Sequence, residues 1–216
     1  MAREAAQARA ARTARILATL RATYPEAHCE LDYRNPLELL IATILSARCT
    51  DKQVNLVTAG LFQEYRTAAD YARADAAQLA GAIHRLGFFR NKARSLKNCC
   101  RKLVELHRGE VPRTMEELTQ LDGVGRKTAN VVLGNAFNLN LGVVVDTHVA
   151  RLARRLKLTR EKDPEKIEQA LMRLVPQELW TLFSHWLIWH GRRRCPARKP
   201  DCPGCEIRTL CPSATV

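Results

Sequence analysis

Apolar residues along this chain recur every three or four positions, and the segments they mark are bounded by Asn, Asp, Thr, Gly and Pro. That spacing is the helical period, not the alternation of a half-buried strand. Asn35-Pro36 opens a helix through Leu39, Leu40, Ile41, Ile44 and Leu45, with proline in the first turn, where its missing N–H is not needed. Arg48-Cys49-Thr50-Asp51 interrupts it, and a second helix carries Val54, Leu56, Val57 and Leu61. Asp75 starts another that ends near Leu86-Gly87, and Asn91 to His107 forms a long helix closed by Gly109 and Pro112. Asp146-Thr147-His148 begins a helix through Val149, Leu152 and Leu156, and Asp163-Pro164 caps the next, with Ile167, Ala170, Leu171 and Leu174 on one face. Pro176 opens the last, whose stripe is Leu179, Leu182, Phe183, Trp186, Leu187 and His190. Only Leu141 to Val145 hints at an extended run, so the expected fold class is all-α.

Within this pattern one stretch stands apart: Leu121-Asp122-Gly123-Val124-Gly125-Arg126-Lys127-Thr128-Ala129-Asn130. Thr114-x-x-Glu117 ahead of it reads as a capping box opening a short helix. Gly123 and Gly125 flank Val124 in a tight turn that needs open backbone space. From Gly125 a helix runs to about Ala136, with Ala129, Val132, Leu133 and Ala136 as its buried stripe. The unpaired N–H groups at its start form an anion site suited to a phosphate. Lys127 falls nearly opposite the stripe. The positive helix end disfavours its ammonium form, so it is a candidate nucleophilic amine, and a solvated surface lysine is the equal alternative on this stretch alone.

Charge narrows the function. Lys and Arg number 35 against 22 Asp and Glu, a net +13 over 216 residues, which points to a polyanionic partner, most simply nucleic acid. No apolar run approaches the ~20 residues of a membrane span. The Ala/Arg-rich start, Met1 to Arg15, lacks a hydrophobic signal-peptide region and reads as an N-terminal helix with a basic face. Four of the 8 cysteines crowd into the tail as Cys195-x6-Cys202-x2-Cys205-x5-Cys211. Without a signal peptide this fits a reduced cytosolic chain with a metal site better than a disulfide framework. Four thiolates suit Zn²⁺ or an iron–sulfur cluster. Zinc ribbons use two Cys-x-x-Cys knuckles and only one occurs here, so a 4Fe-4S cluster is favoured and zinc is the alternative. Arg192, Arg193, Arg194, Arg198 and Lys199 beside it suit phosphate contacts or simply a solvated charge run.

Asp146 sits at a helix start, where an N-cap is the ordinary role. Pairing it with Lys127 supplies the amine and carboxylate needed to attack a sugar carbon and move protons. Two helix-breaking loops, Ser46 to Asp51 and Gly87 to Lys92, carry Arg48 and Phe88. Arg48 reads as a surface cation and Phe88 as a core aromatic, or both as wedges of a protein that unstacks DNA. Cys29, Cys49, Cys99 and Cys100 fall outside the cluster spacing and read as buried, inert thiols.

Taken together, Leu121 to Val132 with Lys127, Val145-Asp146-Thr147-His148, and the four-cysteine tail resemble endonuclease III, the bacterial DNA repair glycosylase family, from Asn35 to Cys211. The resemblance implies a helix-hairpin-helix fold in two domains. A six-helix barrel would span 26–138, and residues 1–25 with 139–216 would form the iron–sulfur domain. It further implies a bifunctional glycosylase and abasic-site lyase acting on oxidised pyrimidines in double-stranded DNA, with Lys127 and Asp146 catalytic. Gly123, Val124 and Gly125 would hold a phosphate by their amides, and Phe88 would intercalate opposite the lesion. His148, Arg192 and Arg193 would also contact DNA. Arg48 stands where many members carry glutamine filling the gap left by the flipped base. Related adenine glycosylases lack the hairpin lysine and use a glutamate in the early helix, but Leu39 to Arg48 holds no carboxylate. A non-catalytic DNA-binding module would need neither Lys127 nor Asp146. A monomer in the bacterial cytoplasm, at the nucleoid, is expected.

Overall fold

Helices supply all the regular secondary structure among the residues that the computed structural model describes, 4–215. The first positions of the expected basic N-terminal helix, 1–3, lie outside them. The chain divides into two compact units, one of Cys29–Leu139 and one of Met1–His28 with Asn140–Val216. In chain order the helices are α1 (Ala6–Thr23), then α2 (Pro36–Leu45), α3 (Asp51–Glu64), α4 (Ala68–Arg73), α5 (Ala76–Ala82), α6 (Phe89–His107), α7 (Met115–Thr119) and α8 (Arg126–Phe137), followed by α9 (Thr147–Arg155), α10 (Pro164–Met172) and α11 (Trp180–Arg193). Short 3-10 turns occupy Gln177–Leu179 and Arg208–Leu210.

The Cys29–Leu139 unit is built on α2, an almost wholly apolar helix in which Leu39, Leu40, Ile41, Ala42 and Leu45 are all fully buried. A helix apolar on every side needs partners all round, and α3, α6 and α8 pack against it. Asn35 caps its start by accepting the Glu38 N–H. The stripe of α3 runs Val54, Val57, Thr58 and Leu61, so Leu56, expected on it, points outward and is 62% exposed. The reason is geometric: a residue two positions from Val54 lies on the opposite side of the helix.

Two further expectations change here. The pattern missed α4, whose start carries a reciprocal capping box: Asp70 N–H to the Thr67 hydroxyl, and Thr67 N–H to the Asp70 carboxylate. At Thr114 the box is only half made. Its hydroxyl accepts from the Glu117 N–H at 3.3 Å, but the Glu117 carboxylate takes the same hydroxyl's proton at 2.6 Å and does not reach the Thr114 backbone.

In the other unit α1, α9, α10 and α11 surround Ile16, Leu20, Val149, Leu152, Ile167, Leu171, Phe183, Trp186 and Leu187. The 141–145 run stays irregular. Among the described residues no second strand is present to pair with it, and its buried valines are instead anchored where the Val144 N–H donates to the Ser184 hydroxyl at 3.0 Å. Among the described residues no helix is long and apolar enough to cross a membrane.

Candidate active site and thiol cluster

The glycine turn lies between α7 and α8 and is tied to α6. Asp122 pairs with Lys102 at 2.8 Å, and Lys102 also donates to the Gln120 carbonyl at 2.7 Å. The Lys102 ammonium holds the Asp122 carboxyl below its usual range. Nothing in the hydrophobic pattern announces this tether, since Lys102 and Asp122 are distant in sequence. Gly123 adopts φ +79°, and a Cβ there would meet Ser95 Cβ at 3.2 Å and Ile44 Cγ2 at 3.3 Å. Gly125 has an ordinary φ of −94° with open space where a Cβ would stand. Only the first glycine is therefore required by the fold, while the second leaves the helix start uncovered.

Val124 departs from the expected phosphate contact. Its N–H is already committed to the Leu121 carbonyl at 3.1 Å, and its side chain is buried in the core. Among the described residues, the amides placed to face an anion are those of Gly123 and Gly125 and, inside α8, of Lys127 and Thr128. Lys127 is the second residue of α8 and is exposed.

Asp146 caps α9, its Oδ1 accepting the Val149 N–H at 2.8 Å. It lies in the unit containing Asn140–Val216, whereas Lys127 lies in the other. His148 is half-buried, with Nδ1 3.1 Å from an Arg151 guanidinium nitrogen. Burial depresses its basicity, opposed by Asp146 and reinforced by Arg151 and Arg192. A Cβ on Gly191 would come within 3.0 Å of His148, so α11 approaches α9 closely there.

The two wedge candidates meet. Arg48 and Phe88 both take left-handed backbone angles, φ 59° each, and the Arg48 guanidinium sits 5.3 Å from the Phe88 ring centre. Phe88 is 60% exposed, so the core reading of this aromatic is set aside: it is the N-cap of α6 and projects from the unit. Arg193 lies over the Trp189 ring at 3.8 Å, and Arg192 is exposed beside it. Arg194 is committed to Asp201 and Glu206.

The cysteine tail folds as a loop around one small cavity of about 30 Å³, lined by Cys195, Cys202, Cys205 and Cys211 with Leu152, Leu156 and Ile207. All four are free thiols. Among the described residues no three His, Cys, Asp or Glu converge closely enough for a single ion. Arg155 organises the loop, donating to Cys195 Sγ at 3.0 Å and to the carbonyls of Pro196 and Ala197 at 2.8 and 2.9 Å. Burial pushes the Cys205 thiol up to about 11 and the Cys211 thiol upward too. Hydrogen bonds from Thr215 lower the Cys202 thiol instead, and a metal centre among the sulfurs would supply positive charge that offsets the burial of Cys205 and Cys211. The donor set thus fits a metal group. Sequence reasoning located the four sulfurs but not Arg155, which lies two helices upstream.

The same order of helices and loops is found in characterised proteins. The profile of the HhH-GPD superfamily of base excision DNA repair proteins matches residues 41–177. Endonuclease III of Synechocystis is 54% identical over 203 residues, 94% of this chain and 93% of that protein. This chain belongs to the endonuclease III family. Two solved endonuclease III structures share the family fold with it. A non-covalent endonuclease III–DNA complex superposes with a TM-score of 0.91 at 43% identity, covering 95% of this chain and 96% of that one. A trapped endonuclease III–DNA covalent intermediate gives 0.88 at 44%, covering 94% and 96%.

Proposed function

We propose that this chain is a base excision repair enzyme that removes oxidised pyrimidines from duplex DNA and cuts the strand 3′ to the resulting abasic site. The observation that carries the reading is Lys127, exposed as the second residue of the helix that follows the glycine turn, in a chain so similar to endonuclease III. A phosphate beside the lesion binds the amides of Gly123, Gly125 and the α8 start, which brings the sugar to the lysine. The damaged nucleotide is turned out of the stack, Phe88 enters the gap, and Arg48, stacked on it, pairs with the orphaned base. The Lys127 amine attacks the sugar C1′ as the glycosidic bond breaks and the base leaves. Asp146 takes up the amine's proton and stabilises positive charge on the sugar. The imine that forms at C1′ acidifies the C2′ hydrogen. Its loss expels the 3′ phosphate, and hydrolysis of the imine restores Lys127.

His148, Arg192 and Arg193 hold the DNA backbone, consistent with the net +13. Cys195, Cys202, Cys205 and Cys211 would ligate a 4Fe-4S cluster, with zinc as the alternative, and Arg155 would offset negative charge on Cys195. The cluster would hold the loop at 195–211 in shape, with all ligand positions filled by the protein. The barrel domain of the reading corresponds to 26–138 and the cluster domain to the remainder. The site of action is duplex DNA of the bacterial nucleoid in the cytoplasm.

The test is a duplex carrying one thymine glycol, incubated with protein whose iron, sulfide and zinc have been assayed. Base release with a β-elimination product, and about four irons and four sulfides per chain, supports the reading. Base release on an intact strand makes the chain a monofunctional glycosylase, and stoichiometric zinc without sulfide removes the cluster.

A further inference from the structure

Of the four cysteines outside the tail, Cys99 and Cys100 are fully buried, but Cys29 and Cys49 are not. The expectation of uniformly buried, inert thiols therefore fails for Cys49, which lies in the loop that presents Arg48. We propose that Cys49 is a peroxide-sensitive thiol, paired with Lys92, whose oxidation reshapes the tips formed by Arg48 and Phe88.

Lys92 lies directly against this sulfur. It is only 6% exposed, and among the described residues its ammonium makes one hydrogen bond, to Cys49 Sγ at 3.1 Å. A buried ammonium needs a countercharge or a full set of acceptors. A neutral thiol is a weak acceptor and a thiolate is a countercharge. The pairing thus sets a cationic donor against a sulfur that is itself partly open to solvent, the circumstance in which cysteines react. With a hydroperoxide as oxidant, the sulfur, its proton lost to solvent, attacks the nearer peroxide oxygen. An S–O bond forms, the O–O bond breaks, and the departing alkoxide or hydroxide takes a proton as alcohol or water. Sulfur loses two electrons and the peroxide gains them, leaving a sulfenic acid.

The location gives this chemistry a consequence. Cys49 follows Arg48, and its N–H is held by the Ser46 carbonyl at 3.0 Å. Lys92 lies in the first turn of α6, its N–H donating to the Phe88 carbonyl at 3.0 Å. The Cys49–Lys92 contact therefore stitches the Arg48 loop to the Phe88 loop from beneath, while the Arg48 guanidinium and Phe88 ring meet above. The added oxygen gives the sulfur a bulkier and differently directed acceptor than the thiol, which redirects the 3.1 Å contact that joins the two loops. Oxidation would then alter the pair of tips proposed to enter DNA. That consequence rests on the proposed function; the reactivity of the thiol does not.

The experiment uses the full chain with its metal group loaded. Protein is treated with hydrogen peroxide in the presence of dimedone, and labelled cysteines are quantified by peptide mass spectrometry. Cys49 is expected to label about tenfold faster than Cys29, and Lys92→Met to remove most of that advantage. Equal rates at Cys49 and Cys29 in the unmutated chain overturn the proposal, whether or not Lys92→Met folds. In the second arm, binding to a duplex with an uncleavable abasic analogue is measured before and after peroxide. Weakened binding in the wild type but not in Cys49→Ala supports the coupling to the tips, and an equal effect in both overturns it. Absence of binding before peroxide would count against the DNA reading instead, leaving the labelling result to stand alone.

Discussion

At Asp146 the capping role and the proposed catalytic role can be separated by chemistry. One oxygen caps α9 through the Val149 N–H, and an asparagine caps about as well. Asp146→Asn should therefore leave thermal stability within about 1 kcal/mol of wild type, while base release falls by roughly 10²–10⁴-fold, measured by calorimetry and by single-turnover kinetics. A parallel contrast holds at the glycine turn. Gly123→Ala places a methyl group against Ser95 and Ile44 at a left-handed φ and should destabilise by about 2–3 kcal/mol. Gly125→Ala meets nothing and should cost under about 1 kcal/mol, so denaturant melts of the two variants must differ. Sequence suggested that both glycines were needed for space. It could not separate them, because the crowding at Gly123 comes from α2 and α6, which are remote in the chain.

At the scale of elements, capping residues and long apolar stripes were legible: Asn35, Asp75, Asp146 and Asp163 each cap the helix that follows. Short helices were not. α4 has six residues, too few for a period to show, and its marker, the Thr67–Asp70 box, is compact and polar. α6 begins two residues before the expected Asn91 because Phe88, in a left-handed turn, takes the cap position without any polar side chain to signal it. Helix α11 also carries His185, which the apolar stripe read from the sequence did not include. Burial, aided by His28, lowers His185 to about 4. The unfolded chain protonates this imidazole near its usual 6.5, so the folded state's advantage is full above that pH. It is lost as pH falls toward 4, by roughly 3 kcal/mol at most. Urea melts between pH 7 and 4 should show this loss, and His185→Gln should remove that share of the slope. A pH-independent difference between the two proteins would contradict it.

For the molecule as a whole, the all-α class and the family followed from motifs spread across both units, and the cysteine tail was decisive in combination with Lys127 and Asp146. What sequence did not reveal were the tertiary tethers: Lys102 on Asp122, Arg155 around the thiol loop, and Lys92 under Cys49. Each joins residues far apart in the chain through a charged side chain, and a charge in a helix normally reads as a solvated face. The proposed chemistry depends most on Lys127, the lysine at the start of α8. The most direct measurement is borohydride trapping on duplex DNA containing one thymine glycol, with wild type and Lys127→Gln side by side. A covalent protein–DNA adduct formed by the wild type and absent from the variant is the predicted result. Base release without any adduct from the wild type, or an adduct that survives Lys127→Gln, would contradict it.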